Sequence, residues 1–104
     1  MTVLAGEQIN NFQDQGFILL ENAIDTELLA GLQTDFNGWV KDSINHQQPY
    51  GEMLDGRPRF DLEPGHSKKQ PALRRVASPT EISDICLKVV CSSHATQAVA
   101  ELIG

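Results

Sequence analysis

Six basic residues, Arg57, Arg59, Lys68, Lys69, Arg74 and Arg75, fall between positions 57 and 75, where the only acids are Asp61 and Glu63. Elsewhere the chain is acidic: residues 1–56 set nine carboxylates against Lys41, and the whole carries a formal charge of −6. A local reversal of sign can meet an anionic ligand, or it can be a solvated loop offsetting acidic neighbours. Apart from Phe60 no aromatic is interleaved with these bases, so a stacking platform for single-stranded nucleic acid is not expected. Arg59, His66, Arg74 and Arg75 are the candidate substrate-binding residues, because their segment combines unusual length, apolar anchors and reversed charge.

The other reactive side chains are dispersed. His46, His66 and His94 stand in three separate segments, and none has a second ligand two, three or four residues further on, as a metal site would favour. Gly51, Gly56 and Gly65 are too scattered to cradle a phosphate, and no Gly-x-Ser-x-Gly nucleophile turn exists. Cys86 and Cys91 would lie about 140° apart around a helix, too far for a bridge within it. They read as reduced, mostly buried thiols of a cytoplasmic protein. No catalytic, cofactor-binding or metal-binding residue is therefore assigned.

The elements that must position these residues follow from periodicity. A short helix is expected over Glu7–Gln15, with Ile9 and Phe12 on one face and Gly16 ending it. Phe17-Ile18-Leu19-Leu20 is a continuous apolar run of strand length, expected to be a central strand buried on both faces. Asp25 or Thr26 can cap a long helix in which Leu28, Leu29, Leu32, Phe36, Trp39, Val40 and Ile44 recur at three- and four-residue spacing. From Asn45 to Gln70 the period disappears among glycines and prolines, which predicts a long loop. Its anchors Tyr50, Met53, Leu54, Phe60 and Leu62 favour a folded lid. Residues 71–77 predict a second strand, whose alternation would send Arg74 and Arg75 to opposite faces, with Arg75 the inward one. Ser78-Pro79-Thr80-Glu81 has the form of a capping box with proline in the first turn. Ile82, Ile85, Cys86, Val89 and Val90 then share a helix face, and Ser92 or Ser93 opens a last helix.

At 104 residues with 40% hydrophobic and 21% charged residues, one small domain is expected. No apolar run approaches the length of a membrane span. No positively charged start followed by an apolar stretch marks a signal peptide, so a cytoplasmic location is the expectation.

One pattern points to a family. Phe12-x-x-x-Gly16-Phe17-Ile18-Leu19-Leu20-Glu21-Asn22, followed by a helix opening near Asp25 and running through Leu28, Leu29, Leu32 and Phe36, resembles the N-terminal signature of the phytanoyl-CoA dioxygenase family. Pro71-Ala72-Leu73-Arg74-Arg75, Ser78-Pro79 and Ala98-Val99-Ala100-Glu101-Leu102-Ile103-Gly104 are similar to the stretch that leads into its first core strands. The resemblance implies an α+β fold: the N-terminal helical and strand portion of a double-stranded β-helix (jelly-roll) oxygenase, with an incomplete barrel. It also implies that residues 1–104 form a single partial domain, about the first third of a typical member. Iron(II) and 2-oxoglutarate are then expected for the full-length parent, acting on a small-molecule or lipid-like substrate. Members hold iron through a His-x-Asp pair and a distant His. No His-x-Asp occurs here, so the implied ligands and the arginine for the co-substrate would follow Gly104, and the chain alone is expected to be inactive.

A different class of reading is a stand-alone α+β interaction or binding module without catalysis. The stripe Leu28, Leu32, Phe36, Trp39 and Val40 needs a covering surface. Self-association through exposed apolar surface is the expected consequence if none is supplied.

Overall fold

The computed structural model describes residues 3–104. Among these, helices α1 (Gly6–Gln15), α2 (Thr26–Ser43), α3 (Asp84–Ser92) and α4 (His94–Ile103) accompany strands β1 (Tyr50–Leu54), β2 (Arg57–Leu62) and β3 (Leu73–Val76). A 3-10 turn spans Pro79–Glu81. The strands form one antiparallel sheet in the order β1-β2-β3, so the protein is α+β. No helix is long and apolar enough to cross a membrane among the described residues.

The helix ends follow the side chains that can satisfy free backbone groups. Asp25 caps α2 by accepting from the Leu28 N–H at 2.8 Å, and Ser93 caps α4 by accepting from the Thr96 N–H. Gly16 closes α1 in the left-handed conformation, its N–H donating to the Phe12 carbonyl. The Glu101 carboxylate on α4 accepts from the Val3 and Leu4 N–H groups, tying the N-terminal segment to the last helix. Gly31 lets α2 approach α3 closely, since a Cβ there would come within 3.0 Å of the Ile85 side chain.

Three expectations are corrected. Phe17–Leu20 is not a strand: it has no ladder partner, and Phe17 and Leu19 are exposed by 66% and 81%. A strand buried on both faces needs sheet on both sides, and the only sheet among the described residues lies elsewhere; Ile18 and Leu20 instead line an apolar groove with Phe12, Ala98, Val99 and Leu102.

The span 45–70 is not a long loop either, because β1 and β2 form a hairpin inside it. Asp55 and Gly56 are the two central residues of its turn, with φ of 52° and 81°. Paired positive φ is the primed turn whose twist matches the strands, and Asp-Gly is among its preferred sequences.

Ser78 caps nothing, having a left-handed backbone and no side-chain capping bond. The proline-led turn ends after Glu81. Ser83 is the cap of α3, accepting from the Cys86 N–H while its hydroxyl donates to Asp35 on α2.

Both outer strands are irregular where they meet β2. In β1 an extra residue stands between the Tyr50–Phe60 and Met53–Pro58 pairs. Gly51 lies there with φ of 97°, and a Cβ on it would come within 2.9 Å of the Phe60 ring. In β3 the pairing passes from Arg75 opposite Asp61 to Leu73 opposite Leu62, so Arg74 is the extra residue. Such bulges bend a strand and re-aim its side chains.

The apolar core is small. Among the described residues Leu4, Leu62 and Ala98 are the buried apolar side chains, whereas Phe36, Met53, Val90, Val99 and Ile103 are each more than half exposed. The expected burial of the two thiols is not met in so small a core: Cys91 is exposed and Cys86 half-buried. The Cα radius of gyration is 17.3 Å, with principal extents of 49 × 27 × 26 Å. A compact domain of this length has about 13 Å.

Two outcomes are expected. The isolated chain should bind a hydrophobic dye or self-associate; a sharp melt of a strict monomer without dye binding would contradict the exposed apolar surface. Gly51→Ala should cost about 1–3 kcal/mol, because strain at positive φ adds to the clash with Phe60. Gly56→Ala meets no atom within 4 Å and should cost less, so equal urea midpoints for the two variants would contradict the packing at Gly51.

Candidate functional site: an arginine-lined groove beside the hairpin

The four candidate side chains are not gathered into one cluster. Arg59, on β2, is only 3% exposed. Its Nη1 donates to the Ala77 and Ser78 carbonyls, each at 2.9 Å, and its Nη2 donates to Glu81 at 2.8 Å and Glu52 at 3.0 Å. The planar fork thereby joins β1, β2, the end of β3 and the 3-10 turn. The hydrogen bond to Glu81 raises the guanidinium pKa above its ordinary value; burial opposes this and Glu52 reinforces it. A buried guanidinium so fully paired has little left to offer a ligand.

His66 is committed as well. Its Nδ1 accepts from the Ala72 N–H at 2.8 Å, which leaves the proton on Nε2, where it donates to the Ser43 and His46 carbonyls at 3.0 Å each. The ring therefore acts as a C-terminal cap for α2 and anchors the 63–72 segment. This tautomer follows from the partners, since an N–H can only be accepted.

Arg74 and Arg75 do come together. The bulge puts both opposite Asp61, whose Oδ2 lies 3.1 Å from Arg75 Nη2 and 3.8 Å from Arg74 Nε. The expectation that alternation separates them is thus overturned, because two residues of a bulged strand face one on its partner. Their side chains are 55% and 49% exposed. With Pro49, Arg57, Pro58 and Asp61 they line a groove of about 320 Å³. Arg57, a member of the basic run outside the four candidates, joins Arg74 and Arg75 here. The Asp55-Gly56 turn signal places it at the start of β2.

On the apolar side of β3, Phe36, Trp39, Leu73, Val76, Pro79 and Cys86 line a second cleft of about 240 Å³, which shares Arg74 and Arg75 with the first. The two arginines stand between a polar groove and an apolar one.

Beside the sheet, His46 stacks on Tyr50 at 3.5 Å, Tyr50 stacks on Phe60 at 4.7 Å, and Trp39 meets Phe60 edge-on at 6.5 Å. These contacts fix the hairpin against the end of α2. The Tyr50 hydroxyl is buried without a hydrogen-bond partner. Burial, with the Asp42 carboxylate adding to it, pushes its pKa above 10.0.

The side chains present do not fit the iron centre that the family resemblance implies. No group of three His, Cys, Asp or Glu that could hold a metal occurs among the described residues, and both ring nitrogens of His66 are engaged. Comparison with protein-family models, with curated proteins and with solved structures finds no match to this chain.

Tyr50 is the one tyrosine in the sequence, so its phenolate absorbance reads a single group. Its titration midpoint should lie above 10.0 in the folded chain. Because the fold favours the neutral phenol, the stability this contributes is full below the unfolded value and is lost as pH rises through the folded one. A midpoint at or below that of the urea-unfolded chain would contradict the burial of the hydroxyl.

Proposed function

We propose that this chain is a substrate-side portion of a cytoplasmic oxygenase of the phytanoyl-CoA dioxygenase type, dependent on iron(II) and 2-oxoglutarate. Its iron ligands are supplied by polypeptide outside these 104 residues, and its substrate is a small or lipid-like organic molecule. The observation that carries this reading is the unpaired apolar segment Phe17–Leu20, with Phe17 and Leu19 in solvent. A run of that composition is costly to leave uncovered, and a jelly-roll barrel would supply the missing strands. The sequence order of helix, Gly-Phe run and long helix supports the same reading.

In this arrangement β3 presents Arg74 and Arg75 to the substrate. Arg59 and His66 hold the hairpin and the 63–72 segment that flank them. The alternative is a stand-alone binding module; in its favour, the arginine groove is built wholly from this chain.

The reading frame decides between them. A frame continuing past Gly104 into a His-x-Asp segment should yield a protein that releases succinate from 2-oxoglutarate only with iron(II), while residues 1–104 alone release none. Succinate release by the 104 residues would overturn the assignment of the ligands to other polypeptide. An extended product without His-x-Asp or iron-dependent turnover would leave the binding module.

A further inference from the structure

We propose that the groove lined by Arg57, Arg74 and Arg75 binds the phosphate monoester group of a small molecule. This deepens the substrate-side reading of β3 and rests on it for the ligand's place in a reaction, but the binding is measured without it.

The first support is unused donor capacity. Each guanidinium carries five N–H donors in a planar fork. Arg59 shows what a satisfied one looks like in this protein, with four short hydrogen bonds inside the chain. The groove arginines are the opposite case. Arg75 makes one side-chain hydrogen bond, to Asp61, and Arg74 approaches Asp61 and Glu63 only at 3.8 Å, beyond hydrogen-bond range. Arg57 forms no ion pair among the described residues.

The second support is charge. Among the residues that line the groove of about 320 Å³ three guanidiniums face the single carboxylate of Asp61; with Glu63, 3.8 Å from Arg74, counted as a second acid, the surroundings remain net positive. A phosphate monoester approaches two negative charges near neutral pH. A monocarboxylate would only duplicate what Asp61 already provides. A tetrahedral group instead offers three outer oxygens to three forks, the geometry in which arginine exceeds lysine.

The third support is preorganisation. The bulge at Arg74 is what aims both side chains at one place, and the Asp61 bond orients Arg75 there. Pro49 and Pro58 give walls with fixed φ and no N–H of their own. The adjoining apolar cleft, with Trp39 and Leu73, can receive the organic part of the ester.

The test is calorimetric titration of the full chain at constant ionic strength with inorganic phosphate, phenyl phosphate, acetate and chloride. Both phosphates should bind saturably and about tenfold or more tighter than acetate, and phenyl phosphate should exceed inorganic phosphate by also perturbing Trp39 fluorescence. Arg57→Gln should weaken phosphate binding about tenfold with an unchanged circular dichroism spectrum. Arg75→Gln should do the same, and if that variant does not fold, Arg57→Gln decides, since it removes no ion pair. Phosphate binding no tighter than acetate, or unaltered in folded Arg57→Gln, overturns the proposal. Either result leaves the iron-dependent succinate assay untouched, so the two readings fail separately.

Discussion

The architecture depends on one buried guanidinium. Arg59 is the point at which the hairpin, the end of β3 and the turn leading to α3 share a partner. A buried charge left with any of its groups unmatched is strongly unfavourable, so the chain must bring Glu52, Glu81 and two carbonyls to it together. That requirement ties a small three-stranded sheet, irregular in both outer strands, into a unit that also fixes where the C-terminal helices begin. The partners are asymmetric: the arginine is enclosed, whereas the Glu52 and Glu81 side chains are more than half exposed.

Polar clamps of this kind recur where other small domains would use core. His66 closes the end of α2, Glu101 holds the N-terminal segment, and Ser83 joins α2 to α3 through Asp35. Directional bonds can set geometry with little apolar burial, but each contributes modestly net of lost hydration. The result is a chain whose internal geometry is well specified while much of its apolar surface stays open.

Long-period signals were legible in the sequence. The stripe on α2, the Gly16 stop and the strand at Leu73–Val76 came directly from spacing, because helices and strands impose their periods on apolar residues. What misled were cases in which an apolar or turn-forming residue had two uses. Phe17–Leu20 has strand composition, yet composition cannot supply the neighbouring strand. Gly56 reads as punctuation within a loop, although Asp-Gly between half-apolar runs is a hairpin signal, here obscured because Gly51 and Pro58 break the alternation. Ser78 had the residue type of a cap, but Pro79 starts only a short turn and Ser83 does the capping. At the groove, the identities of Arg74 and Arg75 were readable, but their convergence was not. One extra residue in β3 cancels alternation, and bulges leave no dependable mark on sequence.

The paired bulges have a further effect on the sheet's margins. With β2 in the centre, β1 and β3 are both edge strands, and each departs from regular pairing, at Gly51 and at Arg74. A third body seeking to extend the sheet would find no flat run of alternating N–H and carbonyl groups on either side, and on β3 it would meet two adjacent positive charges. Natural sheets blunt their edges by these same means, twisting and charging them. A chain with abundant uncovered apolar side chains is thus directed to associate through those side chains rather than by strand addition, which separates reversible assembly from fibril growth.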